Sequence, residues 1–235
     1  MTLSVIPIEG IGEIRPGDEL AVFIAAAARA QDTPLQDGDC LVVTQKVVSK
    51  AENRLVPLDP DDLGARRALV ESESVRVVRR RGDLIISETR HGFVCANAGI
   101  DLSNVEQGWA ALLPVDSDRS AKHVRDALRA REKVEVGVII SDTFGRPWRR
   151  GLTDVAIGVS GVAAVVDLRD TTDALGRVLQ VTEVAVADEI ASAAELVMGK
   201  ATNVPAAIVR GVEPSWLREG SVRELIRPTD EDLFR

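Results

Sequence analysis

The sequence predicts an α/β protein, and two observations carry that reading. Apolar, β-branched runs of strand length at 40–44, 134–140 and 204–209 alternate with stretches at 19–30, 120–131 and 182–197 whose apolar residues recur at helical spacing. The run at 134–140 also leads straight into Ser141-Asp142-Thr143-Phe144-Gly145-Arg146-Pro147-Trp148-Arg149-Arg150-Gly151. A strand that ends in Asp-Thr and turns through Gly-Arg-Pro puts hard oxygen ligands and phosphate-binding cations at its carboxyl end, where open α/β sheets collect their ligands. Turn chemistry accounts for the Asp and the Gly of this window but not for the excess of Arg, for which a solvated face is the ordinary alternative.

Taken in order, residues 3–8 read as a short strand ending in the turn Glu9-Gly10-Ile11-Gly12, and Pro16-Gly17-Asp18 opens an Ala-rich helix over 19–30 that buries Leu20, Phe23, Ile24 and Ala27. Asp37-Gly38-Asp39 turns into the strand at 40–44, which is read as continuing through Gln45 to Lys50 and so leaves two lysines at a strand's end. A helix at 61–71 follows, then strands at 84–86 and 92–95 and the glycine turn Asn97-Ala98-Gly99-Ile100-Asp101. After the helix at 120–131, the strand and the arginine turn comes Ala156-Ile157-Gly158-Val159-Ser160-Gly161-Val162, whose glycines imply close backbone packing. The helix at 182–197 stops at Met198-Gly199, and 204–209 is the last strand. Residues 1–212 therefore read as the domain. The polar segment 213–235 reads as a linker or as a tail that packs back through Trp216, Leu217 and Leu225.

Composition excludes several classes. With 235 residues and 45% apolar content the chain can bury a substantial core. A net charge of -8 argues against nucleic acid or anionic membrane as partner, so a phosphate ligand needs a local basic cluster such as arginines 146, 149 and 150. Cys40 and Cys95 lie in or beside strand-like runs with no C-x-x-C pair, which suggests buried free thiols and not a disulfide scaffold or zinc site. No segment has the pattern of a secretory leader or approaches a membrane span, and a cytoplasmic location is expected.

The residues with chemistry point to metal and phosphate. Asp101 and Asp142 each follow a strand, and two carboxylates converging with the Thr143 hydroxyl suit magnesium or manganese bridged by phosphates, although each Asp alone is equally a turn residue. Lys46, Lys50 and the arginines supply cations for a triphosphate, and the turn at 9–12 admits a ligand close to the backbone. No Gly-x-x-x-x-Gly-Lys-Ser/Thr motif occurs, which excludes an ordinary P-loop. His91 and His123 read as structural or exposed, and no Ser-His-Asp arrangement is visible.

Together and in order, Pro7-Ile8-Glu9-Gly10, Val47-Val48-Ser49-Lys50-Ala51-Glu52, Asn97-Ala98-Gly99-Ile100-Asp101 through Asn104-Val105, Ser141 through Gly151, and Ala187-Asp188-Glu189 through Met198-Gly199 resemble the coenzyme F420-0 gamma-glutamyl ligases, which lengthen the polyglutamate tail of a deazaflavin. The resemblance covers most of 3–212. It implies a mixed α+β fold without a P-loop, in two lobes with a nucleotide groove and usually a homodimer. It also implies GTP as co-substrate, Mg2+ or Mn2+, and a monovalent cation in addition. Matched residue by residue, Asp101, Asp142 and Thr143 would hold metal, and Asp142 with Arg146 would be catalytic. Glu9, Gly10, Ile11, Gly12, Gln45, Lys50 and Asn104 would contact nucleotide, with Met198, Gly199 and Lys200 completing its pocket. One departure stands out: some members carry an acidic residue after Met-Gly that can reach a second metal, where this chain has Lys200, a cation that could meet phosphate instead.

The implied reaction has the deazaflavin's terminal carboxylate attack the γ-phosphate of GTP, and L-glutamate's amine then captures the acyl phosphate as an amide. The partners are thus GTP, L-glutamate and coenzyme F420-0. By the same resemblance, some actinobacterial-type relatives join this ligase to a flavin-binding reductase domain while free-standing ligases of similar length also exist, so a fusion partner and a free-standing ligase are both open. A metal-dependent nucleotide phosphohydrolase and a noncatalytic GTP-binding module are the alternatives that share the same residues.

Overall fold

The computed structural model describes residues 2–233. In chain order the elements are β1 (Ser4–Pro7), α1 (Leu20–Ala30), β2 (Cys40–Thr44), α2 (Gln45–Ala51), β3 (Leu55–Pro57), α3 (Leu63–Ser72), β4 (Ser74–Arg81), β5 (Leu84–Thr89) and β6 (Val94–Ala96). There follow β7 (Trp109–Ala111), α4 (Ser117–Glu132), β8 (Gly137–Arg146), β9 (Arg149–Ser160), β10 (Val166–Asp167), β11 (Glu183–Val184), α5 (Val186–Met198) and β12 (Ala206–Arg210). The fold is mixed α/β, as the alternation of runs predicts.

Its centre is a five-stranded sheet in the order β1-β12-β2-β8-β9, in which β2 and β8 run parallel and the other pairs antiparallel. Successive side chains of a strand point to opposite faces, and here both faces are covered, which is why the strands read as continuous apolar runs. Leu41, Val43, Val138 and Ile140 pack on one side with Ile24 of α1 and Val124 and Leu128 of α4. Cys40, Val42 and Ile139 pack on the other with Ala187, Ala191 and Ala194 of α5. The small residues of β9 do bring backbones together: a Cβ on Gly158 would lie 2.3 Å from the Ser117 carbonyl oxygen at the start of α4. A separate three-stranded sheet, β4-β5-β6, has its own small core of Val70, Ile85 and Ala98.

Four local expectations are corrected. The strand expected to end at 140 runs on as β8 to Arg146, because antiparallel pairing with β9 satisfies its backbone as far as Arg146 opposite Arg149. Asp142 and Thr143 therefore sit within a strand, and the turn is the hairpin tip at Pro147-Trp148. The run expected to continue from β2 through Lys50 is instead α2, entered directly from Thr44. The helix expected from 182 starts at Val186, since Glu183 and Val184 pair with Asp167 and Val166. Phe23 is only partly buried, while Ala21, Ala25 and Ala28 join Leu20, Ile24 and Ala27 on the covered face of α1. Strands β3, β4 and β7 carried no readable signal; in Ser-Val-Arg-Val-Val-Arg-Arg-Arg the partner strand, not the pattern, makes the strand.

Residues 213–226 lie against the domain. Trp216, Leu217 and Leu225 pack on the α5 side of the sheet, the Ala163 amide donates to the Trp216 carbonyl at 2.7 Å, and the Ser221 hydroxyl donates to Asp118 Oδ2 at 2.7 Å. His91 stacks on Phe93 with ring centroids 5.6 Å apart and its Nε2 meets the Pro114 carbonyl at 2.8 Å, whereas His123 is exposed on α4. No helix among the described residues is long and apolar enough to cross a membrane.

Candidate active site

The parallel pair β2–β8 fixes the site. Thr44 lies beside Ser141 in register, and at this common carboxyl end one chain turns into α2 while the other continues into the β8–β9 hairpin. A cleft of about 800 Å³ opens there. On α2, Lys46 and Lys50 are four residues apart and so share a helix face, and both line the cleft. Buried Gln45 directs its amide to the Leu112 carbonyl at 3.5 Å. The loop Ile11-Gly12-Glu13-Ile14 forms another wall.

Carboxylates and cations alternate around this cleft. Lys46 pairs with Asp101 at 2.9 Å, and the Ser103 amide donates to Asp101 Oδ1 at 2.7 Å. Burial acts to raise the Asp101 pKa, but the Lys46 and Ser103 hydrogen bonds outweigh it and hold the carboxyl below its usual range. Lys50 pairs with Glu13 at 2.5 Å. Lys200 pairs with Asp154 and with Glu195, each at 3.2 Å, and its ammonium also donates to the Thr143 hydroxyl. Desolvation would lower Lys200, yet Asp154 and Glu195 keep its pKa above the ordinary lysine value.

Asp142 differs from its neighbours. Its carboxylate accepts one hydrogen bond, from the Thr143 amide at 2.8 Å, and makes no ion pair among the described residues. Burial first, then the like charges of Asp101 and Asp154, push its pKa up to about 7. Such a group is a carboxylate short of a cation. Cys95 also lines the cleft, and burial with the nearby Asp142 pushes its thiol up to about 12, so it stays protonated.

The residues named from the sequence separate into two groups. Ile11, Gly12, Gln45, Lys50, Asp101, Asn104, Asp142, Thr143, Gly199 and Lys200 all border the cleft. Asn104 holds a left-handed backbone at φ 51, a conformation asparagine tolerates better than most residues. Glu9, Gly10, Met198 and Arg146 do not border it. The Glu9 amide is taken by Gln31 Oε1 at 2.9 Å, and Met198, the last residue of α5, is fully buried in the core. Arg146 is exposed near the hairpin tip, donating to the Arg150 carbonyl at 3.2 Å, with Trp148 81% exposed beside it.

The residue sequence reasoning missed is Asp154. It is 2% exposed and accepts from Ser141 Oγ at 3.0 Å and from Thr143 Oγ1 at 2.6 Å, two hydroxyls that alternate with Asp142 on β8. Its signal was the hairpin, but an irregularity between Gly145 and Arg146 shifts the register, so counting back from the turn would not have set Asp154 opposite Thr143. Glu13 and Glu195, ordinary surface carboxylates in the sequence, were missed for want of any local signal.

Among the described residues no three His, Cys, Asp or Glu side chains form a ready metal cage. The side chains named from the sequence as ligands, Asp101, Asp142 and Thr143, offer oxygen, and Asp154 and Glu195 add carboxylates to the same cleft. That donor set suits a hard divalent ion whose remaining ligands come from elsewhere, as when substrate phosphates complete a magnesium shell.

A family model described as F420-0:Gamma-glutamyl ligase matches residues 10–211. The chain is 45% identical over 251 residues to a protein named coenzyme F420:L-glutamate ligase from Methanothermobacter thermautotrophicus, with 100% of both chains covered. It is 44% identical to the protein of the same name from Methanopyrus kandleri, covering 100% of this chain and 98% of the relative. Against the one from Archaeoglobus fulgidus it is 40% identical over 100% and 97%. These relatives are thus matched nearly end to end.

Proposed function

The chain belongs to the F420-0:gamma-glutamyl ligase family, and we propose from this that it joins L-glutamate to a deazaflavin of the F420 type, with GTP as phosphoryl donor and a divalent metal ion. The observation that supports phosphoryl chemistry is the pairing of three lysines, Lys46, Lys50 and Lys200, with the uncompensated Asp142 in one cleft. Lysines meet phosphate oxygens as point charges, and Asp142 calls for a cation of its own.

Asp142 and Asp101 would hold the metal with Thr143 alongside. When bound, the ion supplies positive charge against the transferring phosphoryl group. Gln45, Asn104 and the wall at Ile11-Gly12 bind and orient the nucleotide, and Lys50 leaves the exposed Glu13 for the phosphates. The acceptor's carboxylate oxygen forms a bond to the γ-phosphorus as the bond to the β-phosphate oxygen breaks, releasing GDP. Glutamate's amine next attacks the acyl carbon; phosphate departs and carries away the negative charge, and the ammonium proton passes to solvent or phosphate. The protein supplies no nucleophile in this scheme, and Cys95, held protonated, could not serve as one. Arg146, standing outside the cleft wall, is assigned to the acceptor's anionic groups at the mouth. A homodimer and a bound monovalent cation are part of the same reading.

Incubation with GTP, Mn2+, L-glutamate and the unglutamylated deazaflavin, read by mass spectrometry, tests it. The expected product is the acceptor plus one glutamyl residue, with one GDP and one phosphate formed per bond, and Asp142→Asn abolishes it in a folded protein. Phosphate release independent of glutamate would mark a phosphohydrolase, and unaltered GTP a binding module.

A further inference from the structure

The metal in the reading above needs oxygen ligands, and the cleft holds two oxygen clusters, of which the first alone has a carboxylate with no ion pair among the described residues, Asp142. The first is Asp101 with Asp142. The second is Asp154, Glu195 and Thr143, two carboxylates and a hydroxyl brought together from β9, α5 and β8, the sort of set that holds a hard cation. Its centre is filled by the chain's own cation: the Lys200 ammonium touches all three groups. Asp154 is 2% exposed, so its charge is costly without a partner, and Lys200 is its ion-pair partner among the described residues. Gly199, just before Lys200, ends α5 with a φ of 60°, and the turn it makes brings Lys200 back over the helix end toward β8.

We propose that Lys200 is a built-in counter-cation that occupies the Asp154–Glu195–Thr143 cluster, so that this chain binds a single divalent ion, at Asp142, together with its nucleotide. Lys46 pairs with Asp101, Lys50 with Glu13, and Lys200 with both Asp154 and Glu195, which leaves Asp142 as the cleft carboxylate with no ion pair among the described residues. The Lys200 side chain is 58% exposed and lines the cleft, so a phosphate oxygen can share its ammonium. The inference rests on the metal and nucleotide reading of the site, and its test separates the two.

Equilibrium dialysis of the full chain against Mn2+ and a non-hydrolysable GTP analogue counts bound manganese per chain. The wild type is expected to hold one. Lys200→Met, which removes the charge and adds no ligand, is expected to hold two, and Lys200→Arg one. Two ions on the wild type would overturn the proposal while leaving the function intact, and so would one ion on a Lys200→Met variant shown by circular dichroism to be folded. No manganese and no nucleotide on the wild type would overturn the function reading as well. If Lys200→Met does not fold, the wild-type count alone decides.

Discussion

Thr143 on β8 and Asp154 on β9 face each other across an antiparallel pair, and the Thr143 hydroxyl donates to Asp154 Oδ1 at 2.6 Å. Lys200, just past the end of α5, touches both groups and so ties the strand that carries Asp142 to the turn that follows α5. A carboxylate buried at such a junction acts on its neighbours' positions more than on the substrate.

Asp154→Asn keeps the shape and loses the charge: Ser141 and Thr143 donate to different oxygens of Asp154, so only one of them retains an acceptor, and Lys200 is left with Glu195 as its ion-pair partner. Hydrogen bonds to charged groups contribute about 1.5–3 kcal/mol, and loss of groups that orient ligands costs about 10- to 100-fold in affinity or activity. The expected outcome is a ligation rate lower by that factor and a weaker hold on nucleotide, measured as kcat and KM for GTP. Unchanged values for both would return Asp154 to a purely structural role.

Gly158→Ala tests the packing of α4 on the sheet. The new methyl would lie 2.3 Å from the Ser117 carbonyl oxygen, and backbone on both sides leaves little room to yield. Overpacking of this kind costs about 1–3 kcal/mol or more. At about 2–4 °C per kcal/mol for a chain of this size, a clear drop in melting temperature is expected.

Deletion of residues 213–235 removes Trp216, Leu217 and Leu225 from the α5 side of the sheet and buried Val222 from the other face. It also removes Glu219, the ion-pair partner of Arg125, and Ser221, which bonds Asp118. Partly buried side chains contribute less than the roughly 1.5–3 kcal/mol of full burial, but several act together. A melting temperature lower by several degrees is expected; no change would make the segment a linker.

The thiols respond to pH in a direction their burial fixes. Cys40 and Cys95 are each pushed up to about 12, first by burial and then by the nearby Asp39 and Asp142 respectively. Because the thiolate is the reactive form, raising the pH from 7 to 9 in the native state leaves both far below their pKa and protonated. A disulfide reagent should therefore label neither thiol across that range and both after denaturation. Rapid native labelling that grows tenfold per pH unit would mean an accessible thiol.

Much of this protein is determined locally. The apolar runs of β2, β8 and β12 and the helical spacing of α1, α4 and α5 identify the layers without reference to one another, because burial on both faces leaves a pattern in each segment. Asp101, Asp142, Thr143 and Lys50 were legible as polar residues that follow apolar runs, although Asp142 and Thr143 lie within β8 and Lys50 on α2, and Lys200 was legible only through the family resemblance.

Only the tertiary structure decided what those residues face. The extension of β8 past Asp142 depends on hydrogen bonds from β9, the switch of Gln45–Ala51 to helix depends on where β2 must end, and Arg146 leaves the cleft because the hairpin carries it outward. Asp154 acquires its place from an irregular register, and Glu195 from the rotation of α5 against the sheet. Pairing, register and helix rotation are relations between distant segments, set by which backbone groups and apolar faces satisfy one another, and no single stretch of sequence contains them.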